Sequence, residues 1–201
     1  MRIPVIKFHL YDLRSGRRDS RTHTYRPGSA AMTSELNYGL SFQRLSKEQR
    51  ESFSPSRVPV LFRFDSGKRV WKWTYPGSRM VNPEDNTISE YWIPWDSIQV
   101  GSIVTPGFKK FRLQYQNRGS DAGKQRDAAR TLFAVTEQFN PMTTLLVAEF
   151  ILPVWGLIGK CGGKRKFEDD DHPGEQDNVF FIGGGYQVVI PGLTTGHIKK
   201  L

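Results

Sequence analysis

The chain has 201 residues, enough for one well-buried domain, and its 37% hydrophobic and 24% charged residues exclude the composition of a disordered chain. Lys and Arg number 29 against 20 Asp and Glu, a net charge of +9 that favours a polyanion as partner. The single cysteine, Cys161, excludes an intramolecular disulfide and leaves a Cys-based zinc site without enough ligands.

The positive charge is concentrated near the start of the chain. Residues 1–80 hold 16 basic and 6 acidic residues, whereas residues 131–201 hold 6 and 8. Residues 3–13 alternate loosely, like a first strand. An arginine arm without hydrophobic period follows at 14–26, where Ser, Thr and Gly separate Arg14, Arg17, Arg18, Arg21 and Arg26. We therefore expect a strand plus a basic arm at 1–33, ahead of a single β-rich domain at 34–201.

Residues 36–75 predict strands and one short helix. Leu36, Tyr38, Leu40 and Phe42 alternate, which indicates a strand, and residues 46–50 suit a short helix. At 59–75 two alternating runs flank a Ser66-Gly67 turn. This pattern predicts a β-hairpin with one aromatic face, formed by Trp71, Trp73 and Tyr75, and one partly basic face.

The middle of the chain continues the series of strands. Residues 87–95 predict a strand that Pro94 places at an edge or a bend, and residues 98–104 predict a short one. At 108–115 Phe111, Leu113 and Tyr115 alternate with polar residues, which again predicts a strand with one basic face. The following segments predict a loop or helix start at 117–130, a helix or a strand at 131–139, and a central buried strand at 143–152.

The last quarter predicts a flexible charged loop and a final strand pair. The loop is rich in Gly and charge and covers 156–177, and the strand pair covers 179–190 with a bend at the glycines 183–185. About nine strand candidates separated by Gly and Pro turns predict a mainly β fold. We expect an antiparallel sandwich or jelly roll with few short helices.

Nucleic acid is the polyanion that the basic residues favour. Guanidinium groups on a mobile arm form forked bonds to phosphate, so the five arginines of the arm are the first candidates. A basic strand face supplies the others: Arg63, Lys68, Arg69, Lys72, Lys109, Lys110 and Arg112. If their strands share a sheet, these charges line a groove for a single-stranded sugar-phosphate chain; otherwise they form the ordinary polar side of a sheet.

Two further groups of residues have candidate roles. Trp92 and Trp95, beside Pro94, are candidates for base stacking, whereas the aromatic residues of the 59–75 hairpin suit the core. Lys164, Arg165 and Lys166 form a short basic cluster of the kind that serves in nuclear import, although the acidic residues 168–171 follow at once. Consecutive carboxylates in a loop are poorly arranged for a cation, so we expect no metal site and no cofactor.

Enzyme signatures fail at specific positions. Around Gly159-Lys160 a phosphate-binding loop would need Gly at position 154, which is Val, and Ser or Thr where Cys161 stands. The glycines 183–185 lie between apparent strands rather than before a helix, so they do not form a dinucleotide fingerprint. We therefore expect no enzymatic activity and no small-molecule substrate.

In outline the chain resembles a small viral coat protein of the single jelly-roll kind. The resemblance lies in the arginine arm at 14–26, the many-stranded domain after it and the Gly/Pro turns. It implies a non-enzymatic structural protein that binds nucleic acid through phosphate and self-associates, inside the host cell, its nucleus included, or in the virion. A viral movement protein and a matrix protein on an anionic membrane surface are the alternatives. The apolar run at 142–159 predicts a core strand, since Glu149 and Pro153 disfavour a membrane span, and peripheral membrane contact through the basic face and Trp155 stays an alternative.

Overall fold

A computed structural model of the protein describes residues 35–75, 81–82, 84–116, 122–135, 140–165 and 180–201. The predicted strand at 3–13 and the arginine arm lie outside these residues. Within them the protein is mainly β, antiparallel and supplemented by a few short helices, so the predicted fold class is confirmed.

One seven-stranded antiparallel sheet organises the fold, and two small hairpins accompany it. The order in the large sheet is β1-β7-β10-β3-β2-β6-β11. Its strands are β1 (Val60–Phe64), β2 (Arg69–Thr74), β3 (Tyr91–Pro94), β6 (Thr144–Phe150), β7 (Val154–Lys160), β10 (Tyr186–Val189) and β11 (Ile198–Lys200). The hairpins pair β4 (Ile98–Val100) with β5 (Ile103–Thr105), and β8 (Lys164–Arg165) with β9 (Phe180–Phe181).

The two runs at 59–75 form the predicted strands β1 and β2, but these strands do not pair with each other. β1 pairs with β7, whereas β2 pairs with β3 and β6. The Ser66-Gly67 turn therefore carries the chain from one half of the sheet to the other, and the Gly67 N–H donates to the carbonyl of Phe150. Alternation fixes which face each side chain takes, but it does not fix which strand is the neighbour.

The sheet folds so that its two halves pack face to face across an inner core. Phe64 of β1 lies 5.3 Å from Phe150 of β6, ring centroid to centroid. Val70, Trp92, Ile158 and Val188 complete the centre of this core and are at most 1% exposed. We call the sheet face that these side chains share the inner side.

Two helices cover the opposite face of β2, β3 and β6, which we call the helix side. α2 (Phe108–Gln116) and α3 (Ala122–Phe133) pack their aromatic residues on Trp71, which is fully buried and lies 4.9 Å from Phe108 and 5.0 Å from Phe111. Because Phe108 and Phe111 are three residues apart, one helical face places both against the sheet. The predicted strand at 108–115 is therefore wrong: Phe111 of the predicted apolar face is buried, but Leu113 of the same face is 53% exposed, because the burial follows the helical period rather than the alternation.

A shorter helix covers the opposite half of the sheet. α1 (Lys47–Glu51) begins at Ser46, whose hydroxyl accepts from the Gln49 N–H while the Gln49 side chain accepts from the Ser46 N–H. This reciprocal capping confirms the helix predicted at 46–50. The predicted strand at 36–42 is instead a turn, with an isolated bridge at Leu36 and a 3₁₀ turn at Phe42–Arg44.

Glycines explain why the predicted loop at 156–177 begins instead with a strand. A Cβ on Gly156 of β7 would lie 2.7 Å from a methyl of Val188, and one on Gly159 would lie 2.7 Å from the ring of Phe53. These glycines leave room for large neighbours in a close-packed core. The glycines at 156 and 159 therefore belong to a buried strand, so the loop prediction is wrong for 156–160, while its part at 166–177 lies outside the described residues.

The remaining strand predictions differ in their success. The central buried strand at 143–152 is confirmed as β6. Two strands, β9 and β10, do lie within 179–190 on either side of the three glycines, but they are not a pair, because β9 pairs with β8 whereas β10 pairs with β3 and β7. The segment 98–104 is a hairpin rather than one strand. β3 lies in the middle of the sheet, not at an edge, because Pro94 is its last residue and its missing N–H falls at the strand end.

Candidate functional site

A row of three charged side chains crosses the helix side of the sheet. Arg69 of β2 and Lys199 of β11 stand opposite Glu149 of β6. The Glu149 carboxylate lies 3.5 Å from the Arg69 Nε and 3.0 Å from the Lys199 Nζ. The hydrogen bond from Lys199 is the largest of the effects that lower the pKa of Glu149. One carboxylate between two cations leaves this row with a net charge of +1.

The exposed face of α2 adds three cations on the same side of the sheet. Phe108 and Phe111 hold the helix against Trp71, which is two residues from Arg69 on the same strand and therefore on the same face. Lys109, Lys110 and Arg112 are exposed on this helix. We call the charged row together with these three residues the basic surface.

A cavity of about 170 Å³ lies where the chain passes from β1 to β2. Phe62 and Phe64 supply its aromatic lining, Lys68 and Arg69 contribute cations, and Asp96 and Gln99 supply polar groups. The β4–β5 hairpin holds the segment of Asp96 and Gln99 in place, because Ile103 is buried in the inner core and the Ser97 hydroxyl donates to the Thr105 carbonyl at 2.6 Å. The cavity therefore combines a partly buried ring, positive charge and hydrogen-bonding groups.

Two residues of the predicted basic strand face lie elsewhere. Arg63 makes two bonds to the Glu35 carboxylate, at 2.9 and 2.6 Å, and also pairs with Asp65. The Trp155 indole N–H donates to Glu35 at 2.7 Å, and these bonds, led by that from Arg63, lower the pKa of Glu35. Two carboxylates therefore surround Arg63, which makes it unsuited to a phosphate.

Lys72 points to the inner side of the sheet rather than to the basic surface. Its Nζ lies 5.0 Å from the centroid of the buried Trp92 ring, and its strand neighbours Val70 and Thr74 are buried on the same face. Burial lowers the pKa of Lys72 to about 8. The predicted single basic face is therefore wrong at Lys72, because alternation along β2 places it on the side opposite Arg69.

Neither predicted stacking tryptophan has both ring faces free. Trp92 is 1% exposed and its indole N–H donates to the Ser89 carbonyl at 2.6 Å, so it belongs to the inner core. Trp95 stacks on Phe108 at 4.4 Å with an interplanar angle of 18°, so α2 already covers one of its faces. The ring that does line a cavity, Phe62, was not predicted.

Several predicted residues cannot be placed on this surface. Arg14, Arg17, Arg18, Arg21, Arg26 and Lys166 lie outside the described residues. Lys164 and Arg165 form β8, where the backbone pairs with β9. Lys199 was not predicted as a site residue. Its only signal in the sequence was the Lys199-Lys200 pair near the end of the chain, and no pattern indicated that β11 would lie beside Glu149.

Two kinds of feature are absent from the described residues. None of the helices there is both apolar and long enough to cross a bilayer. No three His, Cys, Asp or Glu side chains in that part of the chain come together as metal ligands.

Comparisons with known proteins leave the family open. No known protein family and no curated protein sequence matches the chain. A chain in a solved structure of Tse6 in complex with Tsi6 aligns with 79% of this chain and 85% of its own length, with a TM-score of 0.36 and 12% identity. A similarity at that level decides neither fold nor function.

Proposed function

We propose that the protein is a non-enzymatic, nucleic-acid-binding structural protein that holds a single strand through phosphate contacts on the basic surface. The observation that supports this most strongly is the placement of Arg69, Lys199, Lys109, Lys110 and Arg112 on one side of the sheet. Lysine and arginine side chains that neutralise phosphates release condensed counterions, which drives binding independently of base sequence. The arginine arm adds a second set of such contacts.

The basic surface suits a flexible strand better than a duplex. Its cations are spread over a strand row and a short helix, and the cavity beside them offers an aromatic ring. Single strands bind where a positively charged track runs beside aromatic side chains, since every base has a face that stacks. The coat-like role, with self-association, is the form of this function that we favour.

Neutralising the exposed cations of α2 is expected to weaken binding and flatten its salt dependence. In the triple variant K109Q/K110Q/R112Q, the slope of log affinity against log salt for a labelled 20-nucleotide strand is expected to fall by about 2, because each lost phosphate contact removes about 0.7 from the slope. Fluorescence anisotropy between 50 and 300 mM salt measures it.

A second triple variant removes the same charge from the other half of the sheet. Arg44, Lys47 and Arg57 are exposed around α1 and the start of β1, away from the basic surface. R44Q/K47Q/R57Q is expected to keep the native slope to within about 0.5. Equal slopes for the two triple variants would show that net charge alone attracts the strand, and would refute the proposed surface.

The arginine arm is expected to contribute separately from the basic surface. Replacing all five arginines at 14–26 by glutamine should lower the slope by about 3 to 4 if each contacts a phosphate. Added to the α2 triple variant, the arm variant should lower the slope further by the same amount, because independent contacts are additive. An arm variant that binds like the native chain would restrict the interface to the folded domain.

A further inference from the structure

The cavity beside Lys68 is too small to enclose a whole nucleotide. Its volume is about 170 Å³, whereas pockets for drug-sized ligands begin at roughly 300 Å³. One ring system from a longer strand fits this space, with its phosphates left outside. Lys68 and Arg69 lie at the rim, where they can meet those phosphates.

The walls of the cavity differ in chemistry in a way that suits one base. Phe62 is half-buried and stands edge-to-face with Phe64, at 4.9 Å and 75°, so its ring is fixed by packing. Asp96 and Gln99 also line the cavity, and both are exposed. A base in this space meets both an apolar ring and a carboxylate.

Carboxylates accept hydrogen bonds and cannot donate them when ionised. Cytosine carries an amino group at C4, which donates, whereas uracil carries a carbonyl oxygen at the same position, which only accepts. The two bases have the same ring size and present similar stacking faces. The carboxylate of Asp96 therefore attracts the amino group of cytosine and repels the carbonyl oxygen of uracil.

We propose that this cavity holds one base of the bound strand and that Asp96 selects bases carrying an exocyclic amino group, so that cytosine is preferred over uracil. This inference rests on the proposed function, and it adds base selectivity to contacts that would otherwise read only phosphate. Gln99 and Phe62 hold the base without distinguishing the two pyrimidines.

Binding of the full chain to the RNA octamers (C)8 and (U)8 tests the selectivity at equal phosphate number. The native protein is expected to bind (C)8 about fivefold more tightly, the effect of one good hydrogen bond. D96N should lose this preference, since an amide can donate to the uracil oxygen. E84Q, which removes an exposed carboxylate from another turn, should keep it.

Each outcome of this experiment has one meaning. Equal affinity of the native protein for (C)8 and (U)8, or a preference that survives in D96N, would overturn the selectivity and leave the proposed function standing. Failure to bind either octamer at low salt would overturn the proposed function itself. F62L checks the cavity independently: both affinities should fall by about fivefold with the ratio unchanged, and unaltered affinities would show that no base enters.

Discussion

Replacing Gly183 by alanine is expected to destabilise the protein by roughly 2–5 kcal/mol, the combined cost of backbone strain and overpacking. Gly183 has φ +71°, and a Cβ there would lie 2.6 Å from the Gly162 carbonyl oxygen and 2.7 Å from that of Cys161. Backbone atoms cannot rotate away as a side chain can, so the two segments would have to separate.

The glycine segment also joins α3 to the sheet. The N–H groups of Gly183 and Gly185 donate to the carbonyls of Thr131 and Leu132 in the last turn of α3, at 2.9 Å each. Displacing the segment would therefore break bonds that satisfy the end of this helix, whose carbonyls have no partners within the helix itself. The destabilisation would therefore spread from Gly183 to the bonds between α3 and the segment 183–185.

The neighbouring glycine provides a matched control. Gly184 also has a positive φ, +91°, but a Cβ there would meet nothing within 4 Å. G184A is therefore expected to cost only about 1 kcal/mol, from the backbone conformation alone. Urea unfolding of both variants measures the difference, and equal losses for the two would show that close approach at Gly183 does not matter.

Replacing Lys72 by methionine is expected to stabilise the protein at neutral pH, on the order of 2 kcal/mol. The pKa of Lys72 is lowered from 10.5 to about 8, a difference of about 2.5, which corresponds to roughly 3 kcal/mol of disfavoured charge. Losing the contact with the Trp92 ring offsets part of that gain. Methionine fills a similar volume without a charge.

The pH dependence of the stability gained by K72M distinguishes removal of a disfavoured charge from improved packing. Between about pH 8 and 10.5 the unfolded chain binds more protons at Lys72 than the folded chain does, so the native protein gains stability as the pH rises. The advantage of K72M should therefore be fully present below pH 8 and shrink steadily above it. K200M, at an exposed lysine, should change stability by less than about 0.5 kcal/mol at either pH. A K72M advantage that stays constant to pH 10, or a loss of stability at pH 7, would contradict the assignment.

Local sequence patterns predicted which face of a strand each side chain occupies better than they predicted which strands pair with each other. Alternation placed Phe62 and Phe64 on one face of β1, and Trp71 and Trp73 on one face of β2, as the structure has them. The pairing of β2 with β6, and not with β1, depends on contacts between residues 70 or more positions apart. No short window of sequence contains that information.

The basic surface was predictable only in part for the same reason. Lys68, Arg69, Lys109, Lys110 and Arg112 were predicted from charge alone, although the last three lie on a helix rather than a strand. Arg63 and Lys72 were placed with them because each alternates with aromatic residues along a predicted strand, and the strands were expected to share one basic face. The carboxylates around Arg63 and the inner position of Lys72 follow from tertiary packing.

The salt dependence of nucleic-acid binding by the native chain tests the proposed function most directly. Affinity for a labelled 20-nucleotide single strand, measured by fluorescence anisotropy, is expected to fall roughly 1,000-fold or more between 50 and 200 mM salt if the five arginines of the arm and the three cations of α2 each contact a phosphate. A linear plot of log affinity against log salt, with a slope near −6 or steeper, is the predicted result. No binding at 50 mM salt, or an affinity that barely changes across this range, would contradict a phosphate-binding surface.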